Sequence, residues 1–336
     1  MKISASLYAT SQQDLPSLIH ELDELHIDCF HIDCFDANFD KIAKDLSAIR
    51  KLSDTLIDFH AVASSTEKYI ALAKEYNIEK LTFQYENLEV DFPKIPNRSF
   101  DLGLSIVSDT NLDVVENLKK DIDFLLLMTT IPGKSGGKFN TSNFTKIRDA
   151  KRRFPHLKIH VDGGINAEIS FILRMLGVDS AVSGSFLVNH QNLAKALADL
   201  RFHATKSDFC VADYMIMPDG LPVLDIEKTN FAEGLKVMDD YGLGFLLLER
   251  NGKFVGVCSN ADLRKGILKN VSDMQATSLE DIVNFSPLTL AKKSTTIEMI
   301  DLLEKTNFPI LFLPIIDDEK QLAGALTFNK LINNFE

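Results

Sequence analysis

The chain has 336 residues, 45% of them hydrophobic and 25% charged, which is enough apolar material for more than one core and leads us to expect two domains. Its formal net charge of -12, from 36 Lys and Arg against 48 Asp and Glu, sets up a field that repels nucleic acid and anionic membrane surfaces. A small anionic substrate stays compatible, because backbone N–H groups at helix starts capture a phosphate locally. The opening MKISASLYATS lacks the basic stretch, apolar core and cleavage site of a signal peptide, so a cytoplasmic protein is expected. The longest apolar clusters, 124–128 and 245–248, fall far short of the ~20 residues that span a bilayer and read as buried strands. Cys29, Cys34, Cys210 and Cys258 form no CxxC and are expected to be reduced, buried thiols.

From the N-terminus, short β-prone runs alternate with helix-periodic ones, the order that βα units and a parallel sheet produce. Strands are predicted over 2–7, 29–34, 56–62, 80–84, 100–107, 124–128, 158–161 and 180–183. Between them, Leu15, Leu18, Ile19, Leu22 and Leu25 recur at helical spacing, as do Ile169, Ile172, Leu173 and Leu176, each set marking one buried helix face. Pro93 and Pro96 make 87–99 a loop with little helix. Eight such units in about 200 residues fit an α/β fold of the (β/α)8 TIM barrel type, placing a first domain at 1–205.

After Leu200 the rhythm changes, and a smaller α+β domain is expected over 206–336. It reads as two related halves, about 213–270 and 276–333. In the first, a helix at 231–240 precedes a strand at 245–249, an Asn-Gly turn, and a strand at 254–259 that leads into a helix. The second repeats this order with 296–305, 310–316, 317–320 and 322–327, and Gly256 and Gly324 occupy matching places. The linker, 201–213, is short, so domains in contact are expected.

Reactive groups of such a barrel sit at the carboxyl ends of its strands. There the sequence places Ser6, His31 and Asp33, His60, and Asp162. His31 and Asp33 stand at i, i+2 of one strand and so point to one face. Two His and two Asp make a divalent-metal shell suited to Zn, Fe(II), Mn or Co without a thiolate. Each Asp can also move a proton, which suits epimerisation: one removes a proton beside a carbonyl and the other returns one to the opposite face. Taken singly, each residue has a structural explanation as a satisfied His or a helix cap, and it is the joint placement that points to chemistry. Gly133, Gly136 and Gly137 after the sixth strand, Gly163 and Gly164 after the seventh, and Gly184 with Ser185 after the eighth are phosphate-binding candidates.

Residues 1–200 resemble the ribulose-phosphate 3-epimerase family through ISAS, HIDCFD, DFHAV, LLLMTTIPGKSGG, HVDGGI and AVSGS. The resemblance puts the family's metal ligands on His31, Asp33, His60 and Asp162, the acid/base pair on Asp33 and Asp162, Ser6 beside the substrate, and the phosphate loops on Gly136 and Gly137, Gly163 and Gly164, and Gly184 and Ser185. The chain departs from the family where CFDANFDKIAKD replaces a longer loop, with Phe35 at a Met position. Val62 replaces a second Met, Met128 remains, and Lys134 and Ser135 are an insertion. The later half resembles a tandem cystathionine-β-synthase (CBS) pair through GVCSNADL and GALTFNKL, which puts a nucleotide-ribose grip on Ser259 and Asp262. In the second copy Thr327 is present but Lys330 stands in place of the Asp.

These resemblances imply a metal-dependent epimerase of a phosphorylated ketose, with an adenine nucleotide as effector and a homodimer or higher homo-oligomer. The competing reading is a regulatory protein whose barrel binds a sugar phosphate without turning it over.

Overall fold

Period-two alternation with both faces buried is what the first eight strands share, and it separates two kinds of residue. Ile32, Phe59, Leu81, Leu104, Leu127, Ile159 and Ala181 alternate with His31, His60, Thr82, Ser105, Leu126, His160 and Ser180. The first set is aliphatic or aromatic and packs beneath helices; the second is mostly polar and faces a lumen.

The computed structural model describes residues 1–9, 13–132, 136–202, 207, 209–269, 278–306, 308 and 310–328. Gly133, Lys134, Ser135 and Lys330 lie outside the described residues. Contacts divide the chain into Met1–Thr205 and Lys206–Glu336.

In the first unit, β1 (Lys2–Ser6), β2 (Cys29–Phe35), β3 (Ile57–Val62), β4 (Lys80–Gln84), β5 (Asp101–Val107), β6 (Phe124–Met128), β7 (Lys158–Asp162) and β8 (Ser180–Ser183) form a closed barrel. Neighbours pair in parallel and β8 returns to β1, as the predicted TIM barrel requires. The strand ends moved by a residue or two. Leu7 starts a 3-10 turn, Leu7–Ala9, and β7 runs one residue further to include Asp162. After β4 only the 3-10 turn Tyr85–Asn87 precedes β5, in keeping with the two prolines.

Leu18, Ile19 and Leu22 bury one face of the helix Leu15–Glu24, whose N-cap Asp14 accepts the Ser17 N–H at 3.1 Å. Leu15 and Leu25 stay half-buried at its ends. Gly103 is set by packing: a Cβ there would strike the Phe124 ring, which lies face to face with His160 at 4.2 Å between centroids.

Among the described residues, the second unit holds two three-stranded sheets, each with one parallel and one antiparallel pairing. One is β9 (Val223–Asp225), β10 (Phe245–Arg250) and β11 (Lys253–Ser259); the other is β12 (Leu290–Ala291), β13 (Phe312–Ile316) and β14 (Leu322–Thr327). The repeat is visible in detail. Gly256 sits beside the bridge Val257 to Asn284, Gly324 beside the bridge Ile216 to Ala325, and a Cβ at either glycine would meet the crossing backbone. β9 and β12 escaped the sequence reading because two or three residues are too few to show a period. Phe245 stacks on Phe312 at 4.1 Å, joining the two sheets through a core that includes Leu247, Val257 and Ala325.

Cys29, Cys34 and Cys258 are buried and free; Cys210, also free, is half-exposed, so the expectation of four buried thiols holds for three. No helix of the described residues is long and apolar enough to cross a membrane.

Candidate active site

The register of the barrel brings the polar strand ends together. Asp33 and His60 are direct partners across β2 and β3, Ser6 and His31 across β1 and β2, and Met128 and Asp162 across β6 and β7. One ligand atom from each of His31, Asp33, His60 and Asp162 lies within 4.8 Å of the others.

Both imidazoles are fully buried and each turns one nitrogen inward and one outward. The inward nitrogens meet carboxylates: His60 Nδ1 is 3.0 Å from Asp33 Oδ1, and His31 Nε2 is 3.4 Å from Asp33 Oδ1 and 3.5 Å from Asp162 Oδ2. The outward nitrogens are held. His31 Nδ1 lies 3.2 Å from Asp58 Oδ2, which also accepts the Ser4 hydroxyl at 3.1 Å, and His60 Nε2 lies 3.0 Å from Gln84 Oε1. Gln84 Oε1 in turn accepts the Ser105 hydroxyl at 2.8 Å. Asp58 and Gln84 were missed from sequence; their signal was the period of two, which sets Asp58 below His60 on β3 and Gln84 on the adjacent strand.

This donor set fits a divalent cation. Metal-bound imidazoles present one nitrogen to the ion and give the other to a carboxylate or carbonyl, which is the arrangement around His31 and His60. The two inward nitrogens and two carboxylates match nitrogen- and oxygen-preferring first-row metals.

The two carboxylates differ electrostatically. Burial raises the Asp162 carboxyl to about 6, with the Asp33 charge adding to it and His31 and His60 opposing it. Burial also acts against the Asp33 charge, but His31 and His60 outweigh it and hold that carboxyl well below the usual range. For His31, burial favours the neutral ring, yet Asp33 and Asp58 lift its pKa well above the ordinary value.

Above these groups lies a cavity of about 530 Å3. Its walls include Ser6, Asp33, Asp162, Gly136, Gly137, Gly163, Gly164, Gly184 and Ser185, so the phosphate-type glycines and both carboxylates share one space. His31 and His60 lie beneath it. Gly163 and Gly164 have φ of 117° and 68°, conformations that side chains rarely adopt, and a Cβ on either would collide with Thr130 or Phe139. Thr129 braces this turn by donating its hydroxyl to the Asp162 and Gly163 carbonyls at 2.9 and 2.5 Å. Phe35 and Met128 line the cavity, whereas Val62 is buried outside its walls.

In the second unit a cavity of about 970 Å3 is lined by Ser259 and Asp262, together with Asp239, Gly244 and Arg264. Ser259 donates its hydroxyl and N–H to Asp262 Oδ2 at 2.6 and 3.0 Å, and Asp262 N–H returns to Ser259 Oγ at 3.3 Å. That is a reciprocal cap on the helix Asn260–Lys269. Thr327 ends β14.

Comparison with known proteins agrees with the barrel. The model of the ribulose-phosphate 3 epimerase family matches residues 2–188. The ribulose-phosphate 3-epimerase of Bacillus subtilis is 27% identical over 213 residues, 60% of this chain and 98% of that protein. The Methanocaldococcus jannaschii ribulose-phosphate 3-epimerase is 28% identical over 229 residues, 64% of this chain and 97% of its own. Among solved structures, a CBS domain-containing protein from Bacillus anthracis covers 37% of this chain and 90% of its own, at 16% identity and a TM-score of 0.33. CBSX2 in complex with AMP covers 37% and 93%, at 24% identity and a TM-score of 0.31. With more than half of its length matched at residues 2–188, and with the four-residue donor cluster at the carboxyl ends of the barrel strands, the chain belongs to the ribulose-phosphate 3-epimerase family.

Proposed function

We propose that the barrel epimerises a ketose 5- or 6-phosphate at C3, with Asp33 and Asp162 as the proton-transfer pair and His31, Asp33, His60 and Asp162 as ligands of a divalent cation. The observation that carries this is the cluster within 4.8 Å whose imidazoles have their outer nitrogens already held by Asp58 and Gln84. A cation bound there supplies Lewis acidity toward the oxygens beside the reacting carbon.

The chain's own residues do the rest. One of Asp33 and Asp162 takes the C3 proton from one side, leaving an enediolate, and the other gives a proton to the opposite side. The roles exchange in the reverse direction. The glycine turns present backbone N–H groups to the phosphate, and Ser6 lies beside the sugar.

Solvent deuterium appearing at C3 of a ketose 5- or 6-phosphate, and its loss in Asp33→Asn and Asp162→Asn, is the test. Metal-loaded protein that exchanges no such substrate overturns the proposal.

For the second unit we read a CBS-type nucleotide site, supported by Ser259 and Asp262 lining one cavity and by the repeated glycines. Calorimetric titration with AMP, ADP and ATP tests it, and absence of any binding refutes it. A nucleotide that binds there and changes the epimerisation rate would make the protein an allosteric enzyme.

A further inference from the structure

We infer that Lys41 is the cationic contact for the phosphate of the barrel's substrate, a role that rests on the sugar-phosphate reading above. Asp33 and Asp162 at the cavity balance the charge of a divalent cation held by the cluster, so a phosphate dianion needs a counter-charge of its own. Among the described residues that line it, Lys41 is the one cation.

Its place follows from the shortened connection after β2. Only the 3-10 turn Asp36–Asn38 separates β2 from the helix Phe39–Leu52, which puts Lys41 on that helix's first turn and against the cavity. The ammonium sits 4.5 Å from the centre of the Tyr8 ring and 3.0 Å from Asp45 Oδ2, and the Tyr8 hydroxyl donates to the same Asp45 oxygen at 2.8 Å.

Tyr8 also ties Lys41 to the phosphate side of the cavity. It belongs to the turn Leu7–Ala9, which lies against the loop after β8. A Cβ on Gly184 would be 3.0 Å from the Ala9 Cβ, and Asn189 Nδ2 donates to the Ala9 carbonyl at 3.4 Å. Lys41, Tyr8, Gly184 and Ser185 line the same cavity. Its side chain is 65% exposed and Asp45 takes one of its three hydrogens, leaving two for a ligand. An exposed i, i+4 ion pair costs little to loosen, and the ammonium rests against the ring of Tyr8, which lines the cavity beside Lys41.

The test is calorimetric titration of the metal-loaded full chain with D-ribulose 5-phosphate and with unphosphorylated D-ribulose. Lys41→Gln is expected to weaken the phosphate ester about tenfold, the size of one charge-assisted hydrogen bond, and to leave the free ketose unchanged. Lys41→Arg should restore most of the loss, and Asp45→Asn should keep or tighten the ester. In turnover, KM rises in Lys41→Gln while kcat is retained. Equal affinity of wild type and Lys41→Gln for the ester overturns the role of Lys41 and leaves the epimerase reading intact. If Lys41 only braces the helix, Lys41→Gln and Asp45→Asn lower the melting temperature alike with no change in affinity, which also overturns it. Wild-type protein that neither binds the ester nor exchanges deuterium removes the sugar-phosphate reading, and this inference with it.

Discussion

Aspartates line both cavities of this protein, but they are prepared in opposite ways. In the barrel, Asp33 and Asp162 face the inner nitrogens of two imidazoles whose outer nitrogens are fixed by Asp58 and Gln84, so the inner atoms stay available to a ligand. In the second unit, one oxygen of Asp262 already accepts both the hydroxyl and the N–H of Ser259. The first arrangement gathers two carboxylates and two imidazole nitrogens around one point; the second pairs a carboxylate with the start of its own helix. A cluster whose members point at one another's ligand atoms is a stronger sign of chemistry than a cap that completes itself.

The largest effect should come from the barrel carboxylates. Asp162→Asn keeps shape and hydrogen bonding but cannot carry the proton, so kcat is expected to fall roughly 10³-fold, within the range for loss of a positioned acid or base. A steady-state assay of ketose-phosphate epimerisation checks this. A fall of less than tenfold would mean that Asp162 is no more than a wall of the cavity. Chelation should abolish deuterium exchange in the wild type, and added Zn, Fe(II), Mn or Co should restore it.

Next in size is the support beneath the ligands. Asp58→Asn leaves His31 Nδ1 without its carboxylate, and losing such an outer partner lowers metal affinity roughly 10- to 100-fold. A competition titration against a fluorescent chelator measures it. Unchanged affinity would make Asp58 part of the buried core only, and the contrast with Asp262 would weaken.

Much of this site could be read from residue order, because strand periodicity is local. His31 and Asp33 at i, i+2 had to share a face, and Asp162 only had to extend a strand by one residue. The partners Asp58 and Gln84 were harder to see. Whether Asp58 reaches His31 depends on the β2 to β3 register, in which Asp58 pairs with His31 itself, and register is set by the whole barrel. Lys41 was hidden for a related reason: its place depends on how few residues join β2 to the next helix. In the second unit Ser259 and Asp262 were legible as a pair three apart, but spacing does not tell a helix cap from a ribose grip. The short β9 and β12 became recognisable only once their partner strands were in place.

The floor of the barrel lumen sharpens the comparison through pH. There His160 Nδ1 and Ser180 Oγ have no hydrogen-bond partner among the described residues. Burial, with help from Lys80, lowers the His160 pKa to about 3 from the ordinary 6.5. The folded protein therefore keeps His160 neutral while the unfolded chain binds a proton below pH ~6.5, so its contribution is intact above that pH and lost as pH falls toward 3. At pH 5 the loss is about 2 kcal/mol. Urea unfolding of wild type and His160→Gln at pH 7.5 and 5 should show the difference between them shifting by that amount in favour of the variant. Parallel behaviour at the two pH values would place a proton on His160 in the folded state.

The smallest effect tests the other side of the comparison. Ser259→Ala removes a hydroxyl that both donates to Asp262 and accepts from its N–H, so the helix Asn260–Lys269 loses its reciprocal cap, worth about 1 kcal/mol. Thermal unfolding of the full chain reads this directly. The same variant leaves Asp262 Oδ2 with only the backbone N–H of residue 259, in a cavity that also holds Arg264. If the pair grips a ribose, AMP raises the melting temperature of the wild type and raises it less in Ser259→Ala and Asp262→Asn. If the pair is only a cap, the variants lose stability and AMP leaves all three proteins where they were. The second outcome would confine ligand chemistry to the barrel, where two carboxylates and two imidazoles converge on one point.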